Sequence, residues 1–390
     1  MARILIGWEL GSGSGHVTKL TMILAELRAR GYDVTIAAQD IARWPADIPV
    51  WQAPLWPQQI VPLHRPNIVT PNTMGDILVA MGLADRPALT AMIAAWDRII
   101  AAVDPALVIS EYAPGLLLAA HGRVPTLSLG TGFSLPPPEH PVFASLTGKP
   151  AVHEEAPLLD GLNRALSANG RPGRDRLPGI FSADRQIVAA FEELDPYRGW
   201  RLEPAGVPHV GPVPLADSSG DELFVYMNGS QPRTPAFFDG LVRSGLPVRL
   251  YDARLLASDR MVLERAGITV ETAPVPWTKI AARSRMVMSH CGLGFSASAL
   301  LAGLPHILVP YDIEKGMIAA AVEQLELGVI ARFATMTADG FASTLADAWS
   351  NTALFHRTTA AAPRFRSRMT RGVAIQTADL AAATIAGTDI

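Results

Sequence analysis

The sequence lacks most features that mark secreted, membrane-spanning or metal-stapled proteins. Among 390 residues Cys291 is the one cysteine, so no internal disulfide can form, and cysteine and histidine never recur at zinc-finger spacing. No uninterrupted apolar run approaches the roughly 20 residues that a bilayer requires. Residues 1–7 lack the apolar length and the cleavage site of a signal peptide. These absences predict a soluble protein of a reducing compartment, the cytoplasm, without a transmembrane segment.

An excess of charge of one sign is also missing. The chain carries 33 basic and 36 acidic side chains, a formal charge of −3, so it has no global basic field that would attract nucleic acid. Its apolar share of 49% is that of a globular protein and excludes a disordered or fibrous chain. A length of 390 residues exceeds what one hydrophobic core normally organises. We therefore expect two domains.

Short apolar runs alternate with helical periodicity from the first residues onward. Residues 3–8 are almost wholly apolar, which is typical of a strand buried on both faces. A glycine cluster at 11–15 follows, and leucines and isoleucines then recur at helical spacing as far as Gly31, where a left-handed cap is needed. The apolar run 33–38 completes a βαβ unit, which implies parallel strands.

The same alternation continues in two halves. Further strands are predicted at 106–110, 125–129, 223–227, 248–251, 268–271, 286–289 and 306–309. The segments 44–71 and 133–149 show no periodicity and are predicted to be irregular. A boundary without periodic signal lies at 204–222. We predict an α/β fold of two domains, 1–212 and 220–365, each with a parallel sheet covered by helices.

Two glycine-rich junctions between a strand and a helix, one in each half, are the places where ligand chemistry is expected. The first, Gly11–Gly15 followed by His16, has neither the lysine-hydroxyl ending of a nucleotide-triphosphate loop nor the dinucleotide glycine spacing. The second is His290–Gly294. Its glycines allow backbone N–H groups to approach a ligand closely, and the helix start offers unpaired N–H donors. A diphosphate is therefore the expected ligand. Alternatively, the first junction is only a tight turn, and His290 of the second is only a packed side chain.

A longer spacing pattern surrounds the second junction and continues elsewhere in the chain. Its residues are Pro276, Trp277, His290, Cys291, Gly292, Ala299, Gly303, Leu304, Pro305 and Pro310, with Gly15-His16, Ser110-Glu111-Tyr112, Gly211-Pro212 and Gly229-Ser230 outside it. This pattern resembles the donor-binding signature of the UDP-glycosyltransferase family. The resemblance implies the GT-B fold, in which two Rossmann-like domains face a central cleft. It also implies that a C-terminal helix within 366–390 packs back on the first domain.

The resemblance further implies an inverting, metal-independent sugar transfer with a nucleotide sugar as cosubstrate and no cofactor. His16 would take the proton from an acceptor hydroxyl, and Glu111 would orient the imidazole, whose ordinary pKa near 6.5 leaves much of it neutral. The donor would be bound by Gly229, Ser230, Pro276, Trp277, His290, Gly292, Gly294, Ser298, Glu314 and Lys315. Alternatively, His16 only caps the start of a helix, Glu111 is a surface carboxylate, and Trp277 serves packing alone.

Four positions depart from the family's pattern: Phe295, Ser298, Lys315 and Ile318. Ser298 replaces a glutamate that grips the ribose hydroxyls, and the loss of that charge-assisted contact favours a dTDP-sugar slightly over a UDP-sugar. Lys315 favours an acidic sugar or phosphate unless it is only a solvent-facing helix residue. These departures leave open a non-catalytic nucleotide-sugar-binding or helper protein. Another GT-B activity, such as nucleotide-sugar epimerisation, is also left open.

The acceptor site has no motif of its own. Trp44 and Trp56 lie in the first irregular segment, Met74 lies just after it, and Phe133 begins the second. They are predicted to form an apolar wall for a small hydrophobic acceptor. Anchoring of the loops to the core explains the tryptophans equally well. The sequence also leaves a homodimer open.

Overall fold

The structure is a computed structural model that describes residues 1–60, 70–202, 205–227, 234–332, 337–369 and 371–388. The chain forms two compact units. The first comprises Met1–Val207 with Arg371–Ile390, and the second comprises Pro208–Thr370. Each unit contains a six-stranded sheet of parallel strands, so the predicted α/β fold with two parallel-sheet halves is confirmed.

The first unit alternates strands and helices as far as residue 188. Its strands are β1 (Arg3–Trp8), β2 (Asp33–Ala38), β3 (Val50–Gln52), β4 (Leu107–Glu111), β5 (Thr126–Gly130) and β6 (Arg185–Val188). Its helices to this point are α1 (Ser14–Ala29), α2 (Pro57–Ile60), α3 (Met74–Met81), α4 (Arg86–Val103), α5 (Pro114–Ala120) and α6 (Glu155–Ala168). The strand order in the sheet is β3-β2-β1-β4-β5-β6.

The second unit repeats this arrangement. Its strands are β7 (Glu222–Met227), β8 (Val248–Asp252), β9 (Thr269–Val270), β10 (Ser284–Ser289), β11 (His306–Leu308) and β12 (Gly328–Ile330). Its helices are α7 (Pro235–Arg243), α8 (Ala257–Arg265), α9 (Trp277–Arg283), α10 (Leu293–Ala302), α11 (Ile313–Gln324), α12 (Ala338–Ser350) and α13 (Thr352–Arg366). The strand order is β12-β11-β10-β7-β8-β9. In the opposite direction this is β9-β8-β7-β10-β11-β12, which corresponds strand for strand to β3-β2-β1-β4-β5-β6 of the first sheet.

A last helix, α14 (Val373–Ala386), belongs to the first unit although it follows the second in the chain. It packs against α1. Arg30, just beyond the end of α1, donates to the Asp379 carboxylate at 2.7 Å. The connection from α13 therefore returns the chain to the unit in which it began.

The helix α4 shows how local sequence and packing agree. Asp85 accepts a hydrogen bond from the Ala88 N–H at 3.1 Å, and a proline lies in the first turn, where its missing N–H has no cost. One face then places Ile93, Trp96 and Ile100 in the core at helical spacing. The helix ends where Asp104 adopts a left-handed conformation with φ of 47°.

Both sheets reverse their strand order at the centre. β1 has β2 on one side and β4 on the other, and β7 has β8 and β10. At such a switch point the loops beyond the two central strands diverge and leave a crevice for ligands. Trp8 pairs with Glu111 in the first sheet, and Tyr226 pairs with Ser289 in the second. The residues that follow these pairs therefore lie side by side.

The irregular segment predicted over 44–71 is wrong where β3 and α2 occur. β3 has three residues and lies at an exposed sheet edge, so it contains too little apolar alternation to be recognised. The structure describes all of 133–149 and shows neither helix nor strand there, apart from a single bridge between Thr73 and Ser145. That irregular segment is confirmed.

Among the residues that the structure describes, no single helix has both the length and the apolar composition to cross a bilayer. The helices α3 and α4 meet that requirement only as a pair, bent by 89°.

Candidate functional site

The switch point of the first unit brings His16 and Glu111 together. Glu111 is the last residue of β4, and His16 lies in the first turn of α1, which follows the neighbouring strand β1. The His16 Nδ1 atom lies 2.8 Å from the Glu111 Oε2 atom, although the residues are 95 positions apart in sequence. The His16 ring stacks on Trp8 with 5.0 Å between ring centroids. Both predicted residues therefore meet at the carboxyl edge of the sheet.

The charge state of Glu111 determines which nitrogen of His16 is available. Glu111 is fully buried, which by itself would raise the pKa of its carboxyl. The charges of His16 and Lys19, with their hydrogen bonds, outweigh this effect and lower the pKa to about 2. An ionised carboxylate can only accept, so Nδ1 of His16 must donate to it. In the neutral ring the lone pair therefore lies on Nε2.

Close packing of two loops holds the ring of His16 in place. Gly11 has a φ of +82°, and a Cβ atom there would lie 2.7 Å from the His16 Nε2 atom and 3.4 Å from the Tyr112 ring. Tyr112, directly after Glu111, also has a left-handed backbone, with φ of 46°. Its carbonyl accepts a hydrogen bond from the Leu10 N–H at 3.0 Å. Tyr112 thus carries backbone strain directly after Glu111, whereas Gly11 adopts its positive φ at no such cost.

Two glycines of this loop allow the packing to be tested. Gly13→Ala introduces a residue at a φ of +106° with no atom within 4 Å of the new Cβ, so it should reduce the free energy of unfolding by about 1–3 kcal/mol through backbone strain alone. Gly11→Ala adds a contact with the His16 ring and should reduce it further. Urea unfolding measures both costs. The histidine ring NMR signals of His16 should shift in Gly11→Ala and stay in place in Gly13→Ala; equal spectra would contradict the packing.

The switch point of the second unit carries the second glycine junction. His290 follows β10 directly, is buried, and precedes Gly292, the cap of α10. Burial, reinforced by the Lys315 cation, lowers the pKa of His290 to about 4, so the ring is neutral at physiological pH. The backbone of Cys291 is left-handed, with φ of 66°, and its N–H donates to the Ser289 hydroxyl at 3.1 Å. The α10 start has no side-chain cap, which leaves its N–H donors for a ligand.

Lys315 and Glu314 form an ion pair at the start of α11. The Lys315 Nζ atom donates to the Glu314 Oε2 atom at 2.6 Å and lies 3.8 Å from the Asp312 Oδ2 atom. Its side chain is 15% exposed, which is too little for a solvent-facing helix residue. Burial alone would lower the pKa of Lys315, but the Glu314 and Asp312 carboxylates hold it above its usual value. The cation is therefore retained beside His290.

The remaining donor-site predictions fall on residues in different environments. Pro276 is exposed, and Trp277 begins α9 with its ring 4.9 Å from that of Phe295. Phe295 in turn stacks on Tyr226 at 5.1 Å. Ser298 is buried within α10, and its hydroxyl donates to the Gly294 carbonyl at 2.8 Å. That hydroxyl can thus offer a ligand only its acceptor capacity. Gly229 and Ser230 lie outside the described residues.

The predicted acceptor wall needs correction at two of its four residues. Trp56 is fully buried and donates from Nε1 to the Glu9 carboxylate at 2.8 Å. Met74 is fully buried in the hydrophobic core of the first unit. Neither side chain has exposed surface to offer an acceptor, because both anchor their segments to the core. Trp44 is 9% exposed, and Phe133 packs partly buried against the same core.

Sequence reasoning missed two ionisable residues next to the site. Lys19 lies on the same face of α1 as His16, and its Nζ atom donates to the Glu111 Oε1 atom at 2.6 Å. Glu9 directly follows β1 and accepts hydrogen bonds from the backbone N–H groups of Gly115 and Leu116 at 2.9 and 2.6 Å. Burial raises the pKa of Glu9 to about 7, although these bonds oppose the shift. The available signals were a lysine three positions after His16 and a carboxylate ending an apolar run.

The titratable groups of the two switch points do not gather into a metal site. Among the described residues no group of three or more histidine, cysteine, aspartate or glutamate side chains is placed to hold a metal ion. The first switch point instead has a hydrogen-bonded imidazole, carboxylate and ammonium. That arrangement can take up and release a proton.

Comparison with known proteins identifies the fold. No protein-family model matches the chain, and no curated protein matches its sequence. Among solved structures, the calicheamicin glycosyltransferase CalG4 superposes with a TM-score of 0.72 at 20% identity, covering 99% of this chain and 98% of that one. The glycosyltransferase VinC in complex with dTDP gives 0.67 at 15%, covering 98% and 99%. SnogD from Streptomyces nogalater, also a glycosyltransferase, gives 0.63 at 16%, covering 98% and 99%. The described part of the chain therefore has the GT-B fold of these proteins.

Proposed function

We propose that this protein transfers a sugar from a nucleoside diphosphate to a hydroxyl group of a small hydrophobic acceptor, with inversion at the anomeric carbon. The observation that carries the proposal is the 2.8 Å contact between His16 Nδ1 and the buried, ionised Glu111. It leaves Nε2 of His16 as a base. Support for sugar transfer as the reaction comes from the fold, since the solved structures that the chain resembles include several glycosyltransferases of natural products.

In the proposed reaction the oxygen of the acceptor hydroxyl attacks the anomeric carbon. At the same time His16 Nε2 takes up the proton of that hydroxyl. The bond between that carbon and the diphosphate oxygen breaks, and the nucleoside diphosphate leaves with the electron pair. Glu111 stabilises the imidazolium that forms and holds the ring in the required tautomer. No metal or cofactor takes part in these steps.

We assign the donor to the switch point of the second unit. The N–H groups at the start of α10 would donate hydrogen bonds to the diphosphate at the positive end of a helix, and the neutral His290 ring packs beside Gly292 at this start. The retained cation of Lys315 would offset the charge that develops on the leaving group. The Trp277 and Phe295 rings would supply an apolar surface for the nucleobase of the donor. A dTDP-sugar is favoured slightly over a UDP-sugar, because Ser298 offers a ribose no carboxylate.

Calorimetric titration with dTDP and UDP, followed by turnover with their sugars, tests this proposal. A ligand that binds only the folded protein raises the free energy of unfolding by about 2.7 kcal/mol at a concentration 100 times its Kd, so thermal-shift measurements provide a first screen. Mass spectrometry of flat phenolic or polyketide acceptors then detects transfer, and NMR of the product gives the anomeric configuration. Absence of binding to every nucleotide, or retention of configuration, would contradict the proposal. Binding without turnover of any acceptor would support a non-catalytic protein.

Lys315 provides a separate test of the donor site. Lys315→Met removes the cation whose charge lowers the pKa of His290 and should weaken dTDP binding about tenfold, with a smaller dependence of Kd on salt concentration. Lys149→Met, a substitution at an exposed lysine of the first unit, is the matched control and should leave Kd unchanged. Equal effects of the two substitutions on Kd would remove Lys315 from the donor site.

A further inference from the structure

We propose that Lys19 is a positioning residue that fixes the carboxylate of Glu111 and sets how strongly His16 binds a proton. Its catalytic consequence rests on the proposed function, in which His16 is the base. The claim about proton binding concerns only the three side chains and can be tested without any substrate.

Each oxygen of Glu111 has its own cationic or ionisable partner. Oε2 faces His16 Nδ1 at 2.8 Å, and Oε1 accepts from Lys19 Nζ at 2.6 Å. The Lys19 side chain is 6% exposed and that of Glu111 is fully buried. Because the carboxylate is held at both oxygens, it cannot rotate away from His16. Lys19 and His16 are three positions apart on α1, so one helix face carries both partners.

The charge of Lys19 has a second effect. While His16 is neutral, Glu111 and Lys19 form a pair with no net charge. Protonation of His16 then leaves two cations and one anion in a largely buried site, which is less favourable than an isolated imidazolium–carboxylate pair. Lys19 therefore opposes protonation of His16 and keeps Nε2 able to accept a proton. A neutral hydrogen-bond donor at this position would fix the carboxylate but would lack this effect.

Other ionisable groups on the surrounding elements are directed elsewhere. β1 is followed by Glu9, β2 by Asp40 and β4 by Tyr112, and the helix α14 that packs on α1 carries Asp379. Glu9 accepts from the Gly115 and Leu116 N–H groups, and Asp40 accepts from Arg43 at 2.6 Å. The Tyr112 hydroxyl donates to the Met74 sulfur at 3.5 Å, and Asp379 pairs with Arg30 and Arg371. Within the described part of the first unit, Lys19 is thus the charge that touches the His16–Glu111 pair.

NMR titration of the His16 ring in three variants of the full chain tests the proposal. Lys19→Met removes charge and hydrogen bond, Lys19→Gln removes the charge but keeps a donor, and Lys19→Arg keeps both. We expect the pKa of His16 to rise by about one unit in the Met and Gln variants and to stay at the wild-type value in the Arg variant. His16→Gln identifies the ring signals. If Lys19→Met does not fold, as judged by its melting temperature, Lys19→Gln decides the question.

Enzyme kinetics separate this proposal from the proposed reaction. Lys19→Met should lower kcat by roughly tenfold to a hundredfold with little change in KM, and Lys19→Gln should retain more activity, because its amide still positions Oε1. In the Met and Gln variants the acid limb of the profile of kcat against pH should move to higher pH. An unchanged His16 pKa in both would overturn the role of Lys19, whatever the activity. A shifted pKa in a protein without sugar transfer would confirm that role and refute only the proposed reaction.

Discussion

Substitution of His16 by alanine should reduce sugar transfer by about a hundredfold to ten-thousandfold, the range that a positioned general base contributes. In the proposed reaction the acceptor hydroxyl then has no group to take its proton, whereas the proposed nucleotide site in the second unit is unchanged. Calorimetry should accordingly give the wild-type Kd for dTDP or UDP, and steady-state kinetics should show the loss in kcat. This combination distinguishes a missing base from a misfolded protein.

His153 provides a matched control for this prediction. Its Nδ1 atom lies 3.0 Å from the Asp76 carboxylate, so the first unit contains a second histidine–carboxylate pair. Asp76 is buried, but accepted hydrogen bonds from the Val152 and Asn72 N–H groups and from His153 lower its pKa to about 2. This pair fastens a loop to α3, so His153→Ala should leave transfer intact. Unaltered turnover in His16→Ala would exclude the base role.

Substitution of Glu111 by glutamine should affect both activity and stability. The amide has one accepting oxygen for two donors, so either His16 or Lys19 loses its partner, and transfer should fall by about a thousandfold or more if the tautomer is lost. An unpaired Lys19 in a buried position should also reduce the free energy of unfolding by about 3–5 kcal/mol at neutral pH. Urea unfolding and steady-state kinetics measure the two effects. Glu111→Asp keeps the charge and should recover part of both.

The pH dependence of that stability loss follows from the lowered pKa of Glu111. In the folded protein the pKa is about 2, against 4.5 for an unperturbed glutamate, so the stabilisation is fully present above pH 4.5 and is lost as pH falls towards 2. The shift corresponds to about 3 kcal/mol. The difference between wild type and Glu111→Gln should therefore shrink as pH falls below 4.5. A difference that stays constant with pH would show that Glu111 is not ionised against its partners.

The strands at the centre of each sheet could be predicted from sequence because they are buried on both faces. Residues 3–8 and 33–38 form apolar runs, and the structure has β1 and β2 at those residues. β3 and β12 are three residues long and lie at sheet edges, where one side of the strand has no neighbour. Their stability comes from pairing with β2 and β11, which a local sequence window does not contain.

The candidate site was predictable only in part, for a related reason. His16 and Glu111 each follow or end an apolar run, and the carboxyl ends of adjacent parallel strands meet at one edge of a sheet. The third member, Lys19, resembles any polar residue of an amphipathic helix, and its role depends on which face of α1 turns towards β4. Trp56 and Met74 show the opposite error, since their composition suggests a ligand surface and their packing makes them core.

The sequence by itself determined the pattern of buried runs, glycine turns and helix ends, because the burial and the backbone conformation of a short segment depend on its own residue types. It thereby determined two parallel α/β units and the edge of each sheet where function was to be sought. Only the tertiary structure decided the partners of the charges: that Glu111 is held between His16 and Lys19, that Lys315 pairs with Glu314, and that Trp56 points inward. Proton affinity depends on distances of a few ångströms between residues remote in sequence, and folding alone sets those distances.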